Sequence, residues 1–301
     1  MLAAATAACS SNKDEKPAAS GATSAVTTSQ VADTGKFVVK YDRAMMSDLA
    51  KTGKQVTQDN KVIEELAEAL GSVYKLPKDI PVVGTECGDF NAFWDPTKQS
   101  IILCYEMFGV ADSYAKAQSE GRPDYYNLYF DGITRMITFH ESAHMAINIY
   151  SLPSTGREED SADQLGALLQ LTEPGHGDFA GVAAAADFWF DLSDNPSALS
   201  ARTFADEHSL TQVRAYNLLC WDYGAVPDKL EVLVTQPGQR EQKGRLPYQR
   251  AVGCPDEYTK MRASWETLLK PYIKVELGIP ASGSTSTSAH ATHSTTTTPT
   301  R

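Results

Sequence analysis

The feature that most constrains this chain is one short run, Phe139-His140-Glu141-Ser142-Ala143-His144. It sits in a segment whose apolar residues include Ile133, Met136, Ile137, Ala143, Ile147 and Ile149. Residues four apart stack on one face of a helix, so His140 and His144 can direct both imidazoles at one point. Glu141 falls beside that face. Polar groups with apolar flanks enter a partly buried environment, where an unpaired charge is costly. A metal ion gives them a reason to be there, because two His ligands and a carboxylate that accepts a proton from water form the H-E-x-x-H arrangement. Three polar residues in five positions also arise on ordinary surface helices, so the motif needs support from elsewhere in the chain.

That support is Glu158-Glu159-Asp160-Ser161-Ala162-Asp163. A tetrahedral catalytic zinc takes three protein ligands and keeps one position open. Glu159 follows His144 by fifteen positions, enough for a turn through Ser151–Gly156 and a second helix packing back on the first. Asp163 lies one turn beyond Glu159 on the same face, where it can accept the outer N–H of a ligand His and fix its tautomer. Leu165, Leu168 and Leu169 anchor that helix in a core. Carboxylates also suit any solvated helix start, and it is the upstream motif that makes this run a ligand candidate. Glu158 is the rival if the helix starts later. Asp160, about 100° off the Glu159–Asp163 face, ranks third. An oxyanion donor is expected from Ala205–Ser209 and the helix after it. His208 is the first candidate, with Arg214, Tyr216 and Asn217 behind it, and each also has a plain reading as a cap or a surface partner. His176, between two glycines, reads as structural or solvent-facing.

The bulk composition excludes other classes. A formal charge of -11 and a pI near 5.0 argue against nucleic acid or an anionic membrane as partner. No apolar run is long enough to span a bilayer. G-x-S-x-G, Walker-type and dinucleotide-binding glycine motifs and C-x-x-C pairs are all missing.

Met1–Ala8 reads as the tail of a signal-peptide apolar region, with small residues leading to Cys9. This is the pattern of a bacterial lipoprotein cleavage site with lipid on Cys9, although Thr6 stands where Leu is usual. A plain signal remnant is the other reading. Setting Cys9 aside leaves Cys87, Cys104, Cys220 and Cys254, an even set that suits an oxidising compartment. Local pairing, Cys87–Cys104 and Cys220–Cys254, is expected. The alternative is four free thiols in a reducing one.

Residues 1–35 read as a signal remnant and flexible tether, and 280–301 as a disordered Ser/Thr-rich tail carrying His290 and His293. The folded region is then 36–279. Within it, 37–41, 80–84, 91–94 and 100–107 read as strands, the last two joined by the turn at 95–98. Residues 58–74, 125–150, 157–172, 179–192, 208–223 and 256–271 read as helices. A small β region followed by a helical body predicts an α+β fold.

His140–His144 with Glu159-x-x-Ala162-Asp163 downstream resembles the gluzincin pattern of zinc peptidases. More closely, CGDFNAFWDP, SIILCYE, FHESAHMAI and REEDSADQL are similar to a bacterial family of uncharacterised metallopeptidases, a likeness running over about residues 40–255. The resemblance implies a zincin-like fold, with a small N-terminal sheet above an active-site helix and a mainly helical C-terminal half. It also implies His140, His144 and Glu159 as metal ligands, Glu141 as general base and Asp163 as the carboxylate behind a ligand. Two His and a carboxylate also suit iron; the helical frame with its base Glu favours zinc. The function expected is zinc-dependent peptide hydrolysis in the cell envelope or outside the cell. The alternative is a zincin-fold scaffold of the envelope that binds without turnover.

Overall fold

The computed structural model describes residues 31–44, 47–172, 178–193, 200–238 and 244–279. Cys9, most of the expected tether, His176 and the tail with His290 and His293 lie outside them. The tether's last residues are not free: the Thr34 and Gly35 N–H groups donate to Leu76 O at 2.9 and 2.8 Å.

The N-terminal half is built on a four-stranded sheet of order β1-β2-β4-β3, made of β1 (Phe37–Tyr41), β2 (Ile80–Thr85), β3 (Ala92–Asp95) and β4 (Ser100–Cys104). The parallel pairs β1–β2 and β2–β4 put β2 and β4 inside, and every residue of β4 is buried, as a two-sided apolar strand requires. β3 returns antiparallel to β4 as the expected hairpin, and its other edge is unpaired among the described residues. In its turn, Asp95 Oδ1 accepts the N–H groups of Thr97 and Lys98, both at 2.9 Å.

Helices α1 (Asp48–Asp59) and α2 (Val62–Val73) connect β1 to β2, and α3 (Tyr105–Ser119) follows β4 directly. Two expectations change here. Residues 105–107 open α3 instead of extending the strand, since an apolar run of this length carries no period that separates the two states. Residues 48–59 are helical although no apolar stripe marks them. The buried face of α1 consists of Ala50, Gly53 and Thr57. A Cβ on Gly53 would stand 1.9 Å from Tyr105 O, so glycine is what lets α1 lie against α3.

The helical body is α4 (Pro123–Ile149), α5 (Glu158–Thr172), α6 (Phe179–Asp191), α7 (Ala201–Phe204), α8 (Thr211–Ala225), α9 (Pro227–Leu230), α10 (Tyr248–Ala251) and α11 (Cys254–Leu269). A short parallel pair, β5 (Val234–Thr235) and β6 (Leu246–Pro247), lies between α9 and α10. The architecture is mixed α and β, mainly helical beyond the sheet. One apolar core runs from the sheet through α4 to α11. Both expected disulfides are formed: Cys87–Cys104 ties the entry of β3 to the end of β4, and Cys220–Cys254 ties α8 to α11. The chain after α11 returns to the N-terminal half, where Lys75 N donates to Tyr272 O and Lys274 N to Val73 O, both at 2.8 Å. No helix among the described residues is long and apolar enough to cross a membrane.

Candidate metal centre

The centre lies where α4 crosses α5. On α4, His140 and Glu141 are buried and His144 is half-buried. The α4–α5 approach is set by Gly166: a Cβ there would come within 2.9 Å of Met136 Cε and 3.1 Å of the His140 backbone nitrogen. That closeness lets carboxylates on α5 reach imidazoles on α4.

Each α4 imidazole is held from behind. His140 Nδ1 lies 2.8 Å from Asp163 Oδ1, and His144 Nδ1 lies 2.8 Å from Glu158 Oε1. Carboxylates accept, so both Nδ1 atoms donate, and loss of the Nε2 protons leaves both Nε2 lone pairs turned toward one point. These converge with a third acceptor. His140 Nε2 is 3.1 Å from His144 Nε2 and 3.1 Å from Glu159 Oε2, and His144 Nε2 is 3.4 Å from the same oxygen. Four-coordinate zinc with bonds of about 2.0–2.1 Å sets its donors about 3.3–3.4 Å apart. Three donor atoms at this spacing could share one cation, and the set fits zinc.

Electrostatics point the same way. Burial works to lower the pKa of His140, but hydrogen bonds to Asp163 and Glu159 outweigh it and push the pKa up to about 10. Burial works to raise the Glu159 carboxyl, but its bonds to His140, His144 and His208 hold it well below the usual carboxylate range. A buried imidazole kept cationic between two carboxylates marks a strongly negative point.

Asp163, behind His140, is itself fixed by Arg214, whose Nε donates to Oδ2 and Nη2 to Oδ1, both at 2.7 Å. Glu141 Oε2 accepts the Trp94 backbone N–H of β3 at 2.9 Å, so the free-edged strand is docked on the helix beside the cluster. Trp94 Nε1 adds a bond to Asn148 Oδ1 at 3.3 Å. The cluster opens into a cleft of about 780 Å³, walled by β3 on one side and by α5 and the segment before α8 on the other.

The residues singled out in the sequence thus separate. His140, Glu141, His144, Glu159 and His208 all line the cleft, and His208 Nε2 lies 2.9 Å from Glu159 Oε2. Glu158 sits on the far nitrogen of His144. Asp160 faces away and accepts the Ser209 hydroxyl at 2.6 Å. Of the alternative oxyanion donors, Arg214 is engaged with Asp163, Tyr216 packs on the Phe190 ring, and Asn217 meets Arg250. The Trp94 N–H, the Arg214–Asp163 pair and the Glu158–His144 contact had no sequence signal, because each depends on how distant elements dock.

A model of the family described as "putative metallopeptidase" matches residues 41–269. No curated protein and no solved structure matches the chain. The match spans β2, β3 and β4 of the sheet and the helices that form the cluster, and the chain belongs to that metallopeptidase family.

Proposed function

We propose that residues 36–279 act as a zincin-like peptidase in which His140, His144 and Glu159 hold one zinc ion. The observation that carries this reading is the convergence of two imidazole Nε2 atoms and one carboxylate oxygen at 3.1–3.4 Å, with both Nδ1 atoms already committed. Zinc, when bound, supplies a Lewis acid that acidifies water and polarises a scissile carbonyl. Glu141 takes the proton of the attacking water and passes it to the leaving amine. One of its oxygens is held by the Trp94 N–H, which fixes the carboxylate beside the ligands. His208 donates to the oxyanion that develops on the substrate. Asp163 orients His140, backed by Arg214. The free edge of β3 lines the cleft, and an extended peptide can lie along it.

The setting proposed is the cell envelope or the extracellular space, with lipid on Cys9 as one means of attachment. Two disulfides favour an oxidising compartment. The substrate is a peptide or protein.

The test is metal content by mass spectrometry, paired with a peptide-library digest. Wild type is expected to hold about one zinc per chain, lost in Glu159→Ala and kept in Glu158→Ala. Glu141→Gln is expected to keep zinc and lose cleavage. An unchanged rate in Glu141→Gln refutes the mechanism, and zinc without cleavage of any peptide by wild type leaves the scaffold alternative standing.

A further inference from the structure

His208 stands closer to the cluster than an oxyanion donor needs to. It lies in the segment between α7 and α8, with its side chain 39% exposed. Its Nε2 is 2.9 Å from Glu159 Oε2, nearer than either α4 imidazole, which lie at 3.1 and 3.4 Å. The donor atoms of His140, Glu159 and His208 all fall within 4.8 Å of one another. The ring is also set from behind: His208 Nδ1 faces Asp206 Oδ1 at 3.4 Å, and the same oxygen accepts the His208 backbone N–H at 3.0 Å. All three imidazoles therefore share one arrangement, with Nδ1 against a carboxylate and Nε2 turned toward Glu159 Oε2.

A donor to an oxyanion must leave room for a substrate oxygen between itself and the ligands, at about 2.7–3.1 Å from that oxygen. At ligand-to-ligand distance from Glu159, His208 leaves no such room. The segment that carries it is joined to the rest of the site by a few polar bonds at its surface. It is tied to α5 by Arg157 Nη1, which donates to the carbonyls of Asp206 and His208 at 3.3 and 3.1 Å, and by the Ser209–Asp160 bond. Asp206 and Glu207 are exposed.

We propose that His208 is a fourth zinc ligand in the substrate-free protein, and that it leaves this position when substrate enters and then serves as the oxyanion donor. The inference rests on the zinc reading above and adds a closed resting state to it. No covalent bond changes: one nitrogen lone pair is withdrawn and its place is given up to substrate. The metal is thereby fully ligated at rest until a substrate displaces the 205–209 segment.

The test is X-ray absorption at the zinc edge on the zinc-loaded full chain, together with zinc affinity by competition with a chromophoric chelator. Wild type is expected to show three imidazoles, and His208→Phe and His208→Gln two, with affinity at least tenfold weaker. Free imidazole added to His208→Phe is expected to restore the three-imidazole signal. Two imidazoles in wild type, with unchanged affinity in both variants, overturn the proposal and leave the His140–His144–Glu159 site intact. Wild type that binds no zinc at all overturns both.

Discussion

Asp163 is where the stability of the fold and the precision of the proposed site can be separated. The residue is 3% exposed, and its carboxylate joins His140 Nδ1 at 2.8 Å to the Arg214 guanidinium at 2.7 Å through two bonds. Burial works to raise its pKa, but Arg214 and His140 hold it well below the usual carboxylate range, so at pH 7 it is ionised. Asp163→Ala leaves the Arg214 guanidinium, whose side chain is only 14% exposed, without its partner. Removing one member of a buried ion pair costs about 3–5 kcal/mol, roughly a fifth or more of the total for a domain of ordinary stability, about 5–15 kcal/mol. Replacing both members, as in Asp163→Leu with Arg214→Met, removes the stranded charge and should return stability to within about 1–2 kcal/mol of wild type. It does not give His140 back its acceptor, so zinc affinity stays about 10–100-fold weaker in both variants. Urea unfolding at pH 7 in the presence of a strong chelator reads the first quantity without metal linkage; zinc competition titration reads the second. Equal destabilisation in the single and double variants would refute the stranded-charge argument. Wild-type zinc affinity in the double variant would refute the role given to Asp163.

Two further outcomes test other parts of the molecule. Asp222 is fully buried, neither carboxyl oxygen has a hydrogen-bond partner among the described residues, and burial with the nearby Asp178 charge raises its pKa well above the usual carboxylate range. The folded state then binds a proton that the unfolded state releases, so this group's contribution worsens as pH rises from its unfolded value. Asp222→Leu should stabilise the fold by about 1–3 kcal/mol at pH 8 and by less at pH 5, and an equal effect at both in urea titrations refutes this. The Cys220–Cys254 bridge closes a separation of 34 residues, and Cys220→Ser with Cys254→Ser should cost about 4 kcal/mol on the loop-entropy estimate; a urea-derived loss under about 1 kcal/mol would show that the α8–α11 packing holds without it.

What the sequence disclosed depended on whether a signal was local. The α4 segment, the β3–β4 hairpin and both disulfides lie within short stretches with their own periodicity, turn residues or spacing, and all were legible. His140, His144, Glu159 and Asp163 could be grouped because two helix repeats put them on facing stripes. Helix α1 was invisible because its buried face is Ala50, Gly53 and Thr57, small residues selected by the closeness of α3 and carrying no apolar stripe. The entry to α3 was misplaced because β4 runs straight into α3 at Cys104–Tyr105, with no Gly, Pro or other turn residue to mark the change. The partners Trp94, Arg214 and Glu158 belong to side-chain geometry between elements far apart in sequence, which no single-segment pattern encodes.

The returning C-terminal segment has a consequence for how the molecule comes into being. Tyr272 stacks on Tyr150 at the end of α4, Ile273 bridges to Tyr74 at the end of α2, and the Gly278 N–H reaches Thr172 at the end of α5. The ends of the two helices that carry the clustered imidazoles and carboxylates are therefore fastened by residues synthesised roughly a hundred or more positions later. Lys274 Nζ closes onto Gly71 O across 203 residues, and contacts of that span form late, after the entropy of closing a long loop has been overcome. A nascent chain that has already made α4 and α5 still lacks the clasp that holds their far ends. Helices α4 and α5 are thus held in their final places only once the chain through Gly278 has been made, so the cluster they carry is assembled after its own residues are long in place.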